Sequence, residues 1–240
     1  SISGLEGICT GNDLEIGRED AGVPGGSSYF NGTIDEVRIY NRALSAQEIL
    51  DGMNSPYPVD RAVASYSFEK VDSKAWDTHN VVKGKYGSAL SFDGVDDYVD
   101  AGKGANLDIT KDFTLEAWIK LNQIGTDMTF VGKFDATNNK GYFLKKTGGP
   151  NELQVSINGA LFSTGGLGTN NKWYHVDGTY DGSSVRLYID GVPKQPQAFT
   201  TNPSSTNRNL LIGVYDAIPT KTQYMNGLID EVRILNVARS

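Results

Sequence analysis

The sequence predicts an all-β protein, a two-sheet antiparallel sandwich or jelly roll with one short helix near residue 50. Three observations carry that prediction. Apolar and polar residues alternate with a period of two in segment after segment. Gly, Asn and Asp clusters such as FDGVDD, ATNNKG, TGGPNE, YDGSS and IDGVP punctuate the segments, offering residues that accept positive φ. Helical periodicity is nearly absent. Many short strands at regular spacing form sandwiches or jelly rolls.

Near the front, the stretch Tyr29 to Ser45 (YFNGTIDEVRIYNRALS) returns almost unchanged as Tyr224 to Ser240 (YMNGLIDEVRILNVARS), 195 residues later. That period is too long for a solenoid unit and suits a whole domain. The chain therefore reads as the closing strands and helix of an incomplete domain (1–53), a linker (54–60) and a complete domain (61–240). The helix follows the first copy: Ser45 and Glu48 form a capping box, Ile49, Leu50 and Met53 give an apolar stripe, and Gly52 and Pro56 end it. The linker NSPYPVD is stiffened by its prolines.

The strands of the second part follow in order. YVDAG (98–102), FTLEAWIKL (113–121), TFVGKF (129–134) and KGYFLKK (140–146) come first. ELQVSIN (152–158), WYHVDGTY (173–180), SVRLYIDG (184–191), NLLIGVY (209–215) and GLIDEVRIL (227–235) complete the set. In FTLEAWIKL, Leu115, Ala117 and Ile119 share one face and Glu116 the other, with no partner for Glu116 visible. Trp118 suits either the core or an open face.

The net charge of −7, without any basic run, argues against nucleic acid and anionic membrane surfaces as partners. No apolar stretch approaches the roughly 18 residues that span a bilayer, so membrane insertion is not expected. The opening SISGLEGICTGNDLEIG lacks the order of a signal peptide. Cys9 is the only cysteine, which excludes an internal disulfide.

A strict alternation through GLIDEVRIL puts Asp230 on the face of Val232 and Ile234, looking inward, and Asp35 likewise with Val37 and Ile39. A carboxylate there must meet a metal, a buried cation or backbone amides. A hard cation would need six or more oxygens, and Asp77 and Asn80 are spaced for a loop that wraps an ion, although both also read as simple turn residues. Glu231 and Arg233 read as a surface ion pair. His79 and His175 stand apart from any His or Cys cluster, against zinc. No GxSxG, P-loop or GxGxxG-before-helix pattern occurs, and no carboxylate pair is evident for glycoside hydrolysis. Tyr142, Phe162 and Tyr215 lie near turns and offer rings for stacking on a sugar, with core packing as the alternative.

The motifs GKYGSALSFDGVDDYVD (84–100), FTLEAWIK (113–120), WYHVDGTYDGSSVRLYIDG (173–191), LLIG (210–213) and NGLIDEVRILNVARS (226–240) together resemble the laminin G-like, concanavalin A-like lectin/glucanase jelly-roll domains. The resemblance covers 61–240, and the leading segment resembles the last strands of the same domain. It implies a sandwich of about a dozen strands and a structural calcium. The ion would be held by Asp230 with Asp77 and Asn80, and Asp35 would be the equivalent in the partial copy. It also implies a non-catalytic extracellular or cell-surface module that binds glycans or surface proteins. The ExDxxE signature of the related glucanases is absent, which leaves a glycan-active enzyme a remote expectation. A structural reading follows from the orphan strands of 1–52, which could complete a neighbouring subunit and give a filament or oligomer.

Overall fold

The computed structural model describes residues 18–19, 28–29, 62–66, 81–168, 170–217 and 220–239. Two compact units are distinguished, Ser1–Pro58 and Val59–Ser240. In the first, strands β1 (Arg18–Glu19) and β2 (Ser28–Tyr29) pair antiparallel. The expected helix at 45–53, the linker, and Asp35, Asp77 and Asn80 lie outside the described residues.

The second unit is the two-sheet antiparallel sandwich that the alternation predicts. Its strands are β3 (Ala62–Tyr66), β4 (Val81–Lys83), β5 (Ser88–Asp93), β6 (Val99–Asp100), β7 (Phe113–Leu121), β8 (Met128–Asp135) and β9 (Lys140–Lys146). They continue as β10 (Leu153–Ile157), β11 (Ala160–Thr164), β12 (Trp173–Tyr180), β13 (Ser184–Ile189), β14 (Val192–Pro193), β15 (Gln197–Ala198), β16 (Leu211–Ile212) and β17 (Asn226–Leu235). One sheet runs β11-β10-β9-β8-β16-β6. The other runs β14-β13-β12-β7-β17-β5-β4, with β15 also on β13 and β3 also on β17. A single 3-10 turn, Ala105–Leu107, is the helical element among the described residues.

The core lies between the sheets. Leu115, Ala117 and Ile119 of β7, Val176 of β12 and Ile229, Val232 and Ile234 of β17 face Phe130, Leu144 and Val155 of the opposite sheet. Burial of each of these side chains larger than Ala117 is worth about 1.5–3 kcal/mol. Gly178 sits on that inner face of β12, opposite Leu115. A Cβ there would lie 3.1 Å from Val155 Cγ2 and 3.2 Å from Leu144 Cδ1, so the missing side chain lets the sheets approach.

The core also claims two aromatics expected to stack on a ligand. Tyr142 is 1% exposed, and its hydroxyl donates to the Leu107 carbonyl at 2.9 Å. Burial, followed by the charge of Asp108, pushes its pKa up. Phe162, 8% exposed, packs edge-on to Phe199 at 5.0 Å. Both lie close to turns in the sequence, but their side chains take the inward phase of β9 and β11, so neither can meet a ligand. Tyr215 is half-buried in an aromatic cluster with Phe134 and Phe143.

The phase of β17 also differs from strict alternation. Ile229 pairs with Ile119 and Asp230 with Trp118, and then the register slips so that Arg233 pairs with Glu116 and Ile234 with Leu115. Glu231 carries the bulge in a left-handed conformation, φ 51°. The extra residue turns Ile229, Val232 and Ile234 all inward. Asp230 therefore shares the outer face with Trp118, not the core face with Val232.

Candidate functional site: the open face of the larger sheet

The outer face of the larger sheet is built in cross-strand rows by the register of four strands. One row is Asp230 of β17, Trp118 of β7 and His175 of β12. The next is Arg233, Glu116, Asp177 and then Tyr188 of β13. A third runs from Thr114 to Thr179 and Arg186. Period-two sequences make this possible, because every second residue of FTLEAWIKL, WYHVDGTY and SVRLYIDG lands on the same surface.

A cleft of about 670 Å³ opens on this face. Glu116, His175, Asp177 and Thr179 line its floor, and Arg186, Tyr188 and Arg239 line its flanks. The 191–196 segment forms one wall, stiffened by Pro193 and Pro196.

Glu116 is 1% exposed, so its charge must be met. Arg233 donates to Oε1 at 2.8 Å and Arg239 to Oε2 at 3.0 Å, which supplies the partners that the sequence did not reveal. Arg233 also pairs with Glu231 at 3.2 Å. Glu231 is itself buried, so this ion pair is an interior bond rather than a surface one. Beside it, His175 Nδ1 lies 3.1 Å from Asp177 Oδ2. Burial alone would lower the His175 pKa, but the hydrogen bond to Asp177 and the charges of Asp177 and Glu116 outweigh it, and the net shift is upward. Asp177 is also shifted upward, because burial and Glu116 together exceed the help from His175.

The aromatic side of the face is set by Asp230. It is fully buried, and Oδ2 accepts the backbone amides of Lys85 at 2.9 Å and Tyr86 at 3.0 Å. Of the three partners open to this carboxylate on sequence grounds, backbone amides are present. Gly84 makes the approach possible, since a Cβ there would stand 2.6 Å from Oδ2. The anchored turn delivers Tyr86 edge-on to Trp118 at 5.8 Å and Lys85 over the Trp118 ring at 4.5 Å. His175 lies against the same indole at 5.0 Å. Trp118 thus belongs to the open face.

A carboxylate has two oxygens and about four lone-pair sites. Asp230 could therefore serve the Lys85–Tyr86 turn and a calcium ion together. The further donors expected for that ion, Asp77 and Asn80, are outside the described residues.

Sequence reasoning weighed His175 only as a zinc ligand and passed over Asp177, Arg186, Tyr188 and Arg239. For the four residues on β12 and β13 the signal was the polar phase of two neighbouring strands, visible once β12 is placed between β7 and β13; Arg239 lies beyond β17 and had none.

Similarity to known proteins agrees with the architecture. No curated protein matches the chain. Domain 4 of AbnA, an extracellular arabinanase from Geobacillus stearothermophilus, in complex with arabinotriose, is 20% identical with a TM-score of 0.52, over 74% of this chain and 83% of that one. The CBM40 of a Ruminococcus gnavus IT-sialidase, bound to alpha2,3 sialyllactose, is 11% identical with a TM-score of 0.55, over 75% of this chain and 94% of that one. At these identities the likeness is one of fold. The family model of the concanavalin A-like lectin/glucanases superfamily matches residues 2–50 and 93–240, and the chain belongs to that superfamily.

Proposed function

We propose that the Val59–Ser240 unit is a non-catalytic carbohydrate-binding module whose glycan lies in the cleft on the open face of the larger sheet. The observation that carries this is the cleft itself. It is a groove of about 670 Å³ floored by hydrogen-bonding side chains, and its His175 continues on the same sheet face into the ring contacts of Trp118 and Tyr86. Sugars present both hydroxyls and apolar C–H faces, and the groove offers groups for each. The arabinotriose and sialyllactose complexes of two fold relatives support the same class of ligand.

The non-catalytic part of the reading rests on Glu116. Glu116 and Asp177 stand close enough to suggest a glycosidase pair. Glu116, however, is sealed beneath two guanidinium groups, which hold both oxygens. A carboxylate so engaged is a poor nucleophile and a poor base. The extracellular or cell-surface setting belongs to the same proposal. No helix among the described residues is long and apolar enough to cross a membrane.

Calorimetry against soluble polysaccharides tests binding. The proposal expects saturable binding that Trp118→Ala weakens at least tenfold, as loss of an aromatic platform does. Folded protein silent against every glycan would refute it. The structural calcium is proposed alongside, with Asp230, Asp77 and Asn80 as its donors. Added calcium should raise the melting temperature of the wild type and not that of Asp230→Ala. An unchanged wild-type melting curve would remove the ion.

A further inference from the structure

Charge by charge, the cleft is not neutral. Glu116 is matched by Arg233 and Arg239, and Asp177 by His175. Two lining cations remain, Arg186 and Lys194. Among the described residues neither is paired with a carboxylate. Arg186 has only a 3.5 Å contact to the Tyr188 hydroxyl. The acid whose charge it feels is Asp181, whose oxygens are taken by the Ser183 and Ser184 amides and hydroxyls.

This excess stands against the rest of the chain. A protein with a net charge of −7 repels anions at long range. Two unmatched cations at this cleft are therefore a local device. Arg186 is half-buried on the sheet and lines the groove beside Tyr188, and a guanidinium has the planar fork that suits a bidentate carboxylate. Lys194, whose amide donates at 2.9 Å to the carbonyl of Leu187 next to Arg186, adds a point charge. The acids on the floor offer a ligand carboxylate little competition, because Arg233 and Arg239 engage Glu116 and the His175 imidazole engages Asp177.

We propose that the glycan is acidic, a carboxylate-bearing sugar of the uronic or sialic acid type, with Arg186 receiving the carboxylate and Lys194 reinforcing it. This rests on the glycan-binding reading above and specifies its ligand class.

The test compares the intact protein on immobilised polygalacturonate, polyglucuronate and sialyl-oligosaccharides with its binding to carboxyl-reduced or desialylated counterparts. The acidic forms should bind roughly ten- to a hundredfold more tightly, the range of one bidentate charge-assisted contact. Arg186→Gln should erase most of that preference, Arg186→Lys should restore part of it, and Lys194→Gln should reduce it less. Raising the salt should weaken acidic binding alone. Equal or tighter binding to the neutral forms would overturn this inference and leave the module reading intact. So would an acidic preference that survives in the Arg186→Gln, Lys194→Gln double variant. Folded protein that binds neither set overturns the module reading itself, and this inference with it.

Discussion

Asp177 stands directly across the β7–β12 ladder from Glu116, and with His175 the two carboxylates bring their side-chain heteroatoms within 4.8 Å of one another. Like charges this close on a sheet are destabilising unless each is answered. Here each is. Arg233 and Arg239 hold Glu116, and His175 holds Asp177.

Removing the central carboxylate should expose how much this arrangement depends on it. Glu116→Ala takes from Arg233 its partner across the sheet. The expected loss is roughly 2–3 kcal/mol, below the usual cost of breaking a fully buried pair because Arg239 is half exposed and can rehydrate. Urea unfolding of wild type and variant measures it. A loss below about half a kcal/mol would show that the guanidinium groups contribute little.

The His175–Asp177 pair makes stability depend on pH. His175 has a folded pKa above its ordinary 6.5, so its stabilisation is complete below that value and is lost as pH rises through the folded one. Asp177 is also raised, from 3.8, so the folded state holds its proton longer than the unfolded chain and stability again falls with rising pH. Melting temperatures of wild type and His175→Gln between about pH 5 and 8.5 should differ most at the acid end and converge toward the alkaline end. Parallel curves would mean that the pair is uncoupled from folding.

Gly178 predicts the tolerance of the inter-sheet gap. A Cβ at this position would stand only 3.1 Å from Val155 and 3.2 Å from Leu144, so Gly178→Val overpacks the core at a cost of about 1–3 kcal/mol. Thermal unfolding should show the loss, and a neutral result would mean that the sheets can separate there.

Tyr142 and Trp118 should behave oppositely. Tyr142→Phe removes the hydrogen bond to Leu107 and leaves a buried carbonyl short of a donor, costing about 1–3 kcal/mol of stability with glycan affinity unchanged. Trp118→Ala should lower affinity more than stability. Calorimetry and melting curves on both variants separate the two roles, and a Tyr142→Phe variant with impaired binding would contradict the placement of that ring in the core.

Much of the fold was legible because its cause is local. The alternation of FTLEAWIKL puts Leu115, Ala117 and Ile119 on the core face and Glu116 on the other face of the sheet, as observed. The phase of β17 was not legible, because the bulge falls on Glu231, a residue type that rarely adopts positive φ. Nearness to a turn misled for Tyr142 and Phe162, since strand residues two positions from a turn still alternate inward. The cleft was the least visible part. Glu116, Asp177 and Arg186 lie far apart in the chain and meet only through the order β7, β12, β13, and strand order is a long-range property that no single motif carries.

The most direct measurement is amide chemical-shift mapping of the isotopically labelled protein during titration with a bound glycan. The account predicts that the largest changes fall on the open face of the larger sheet, at Trp118, His175, Asp177, Arg186 and Tyr188. Changes centred instead on the opposite sheet, around Phe134, Phe143 and Tyr215, would contradict it.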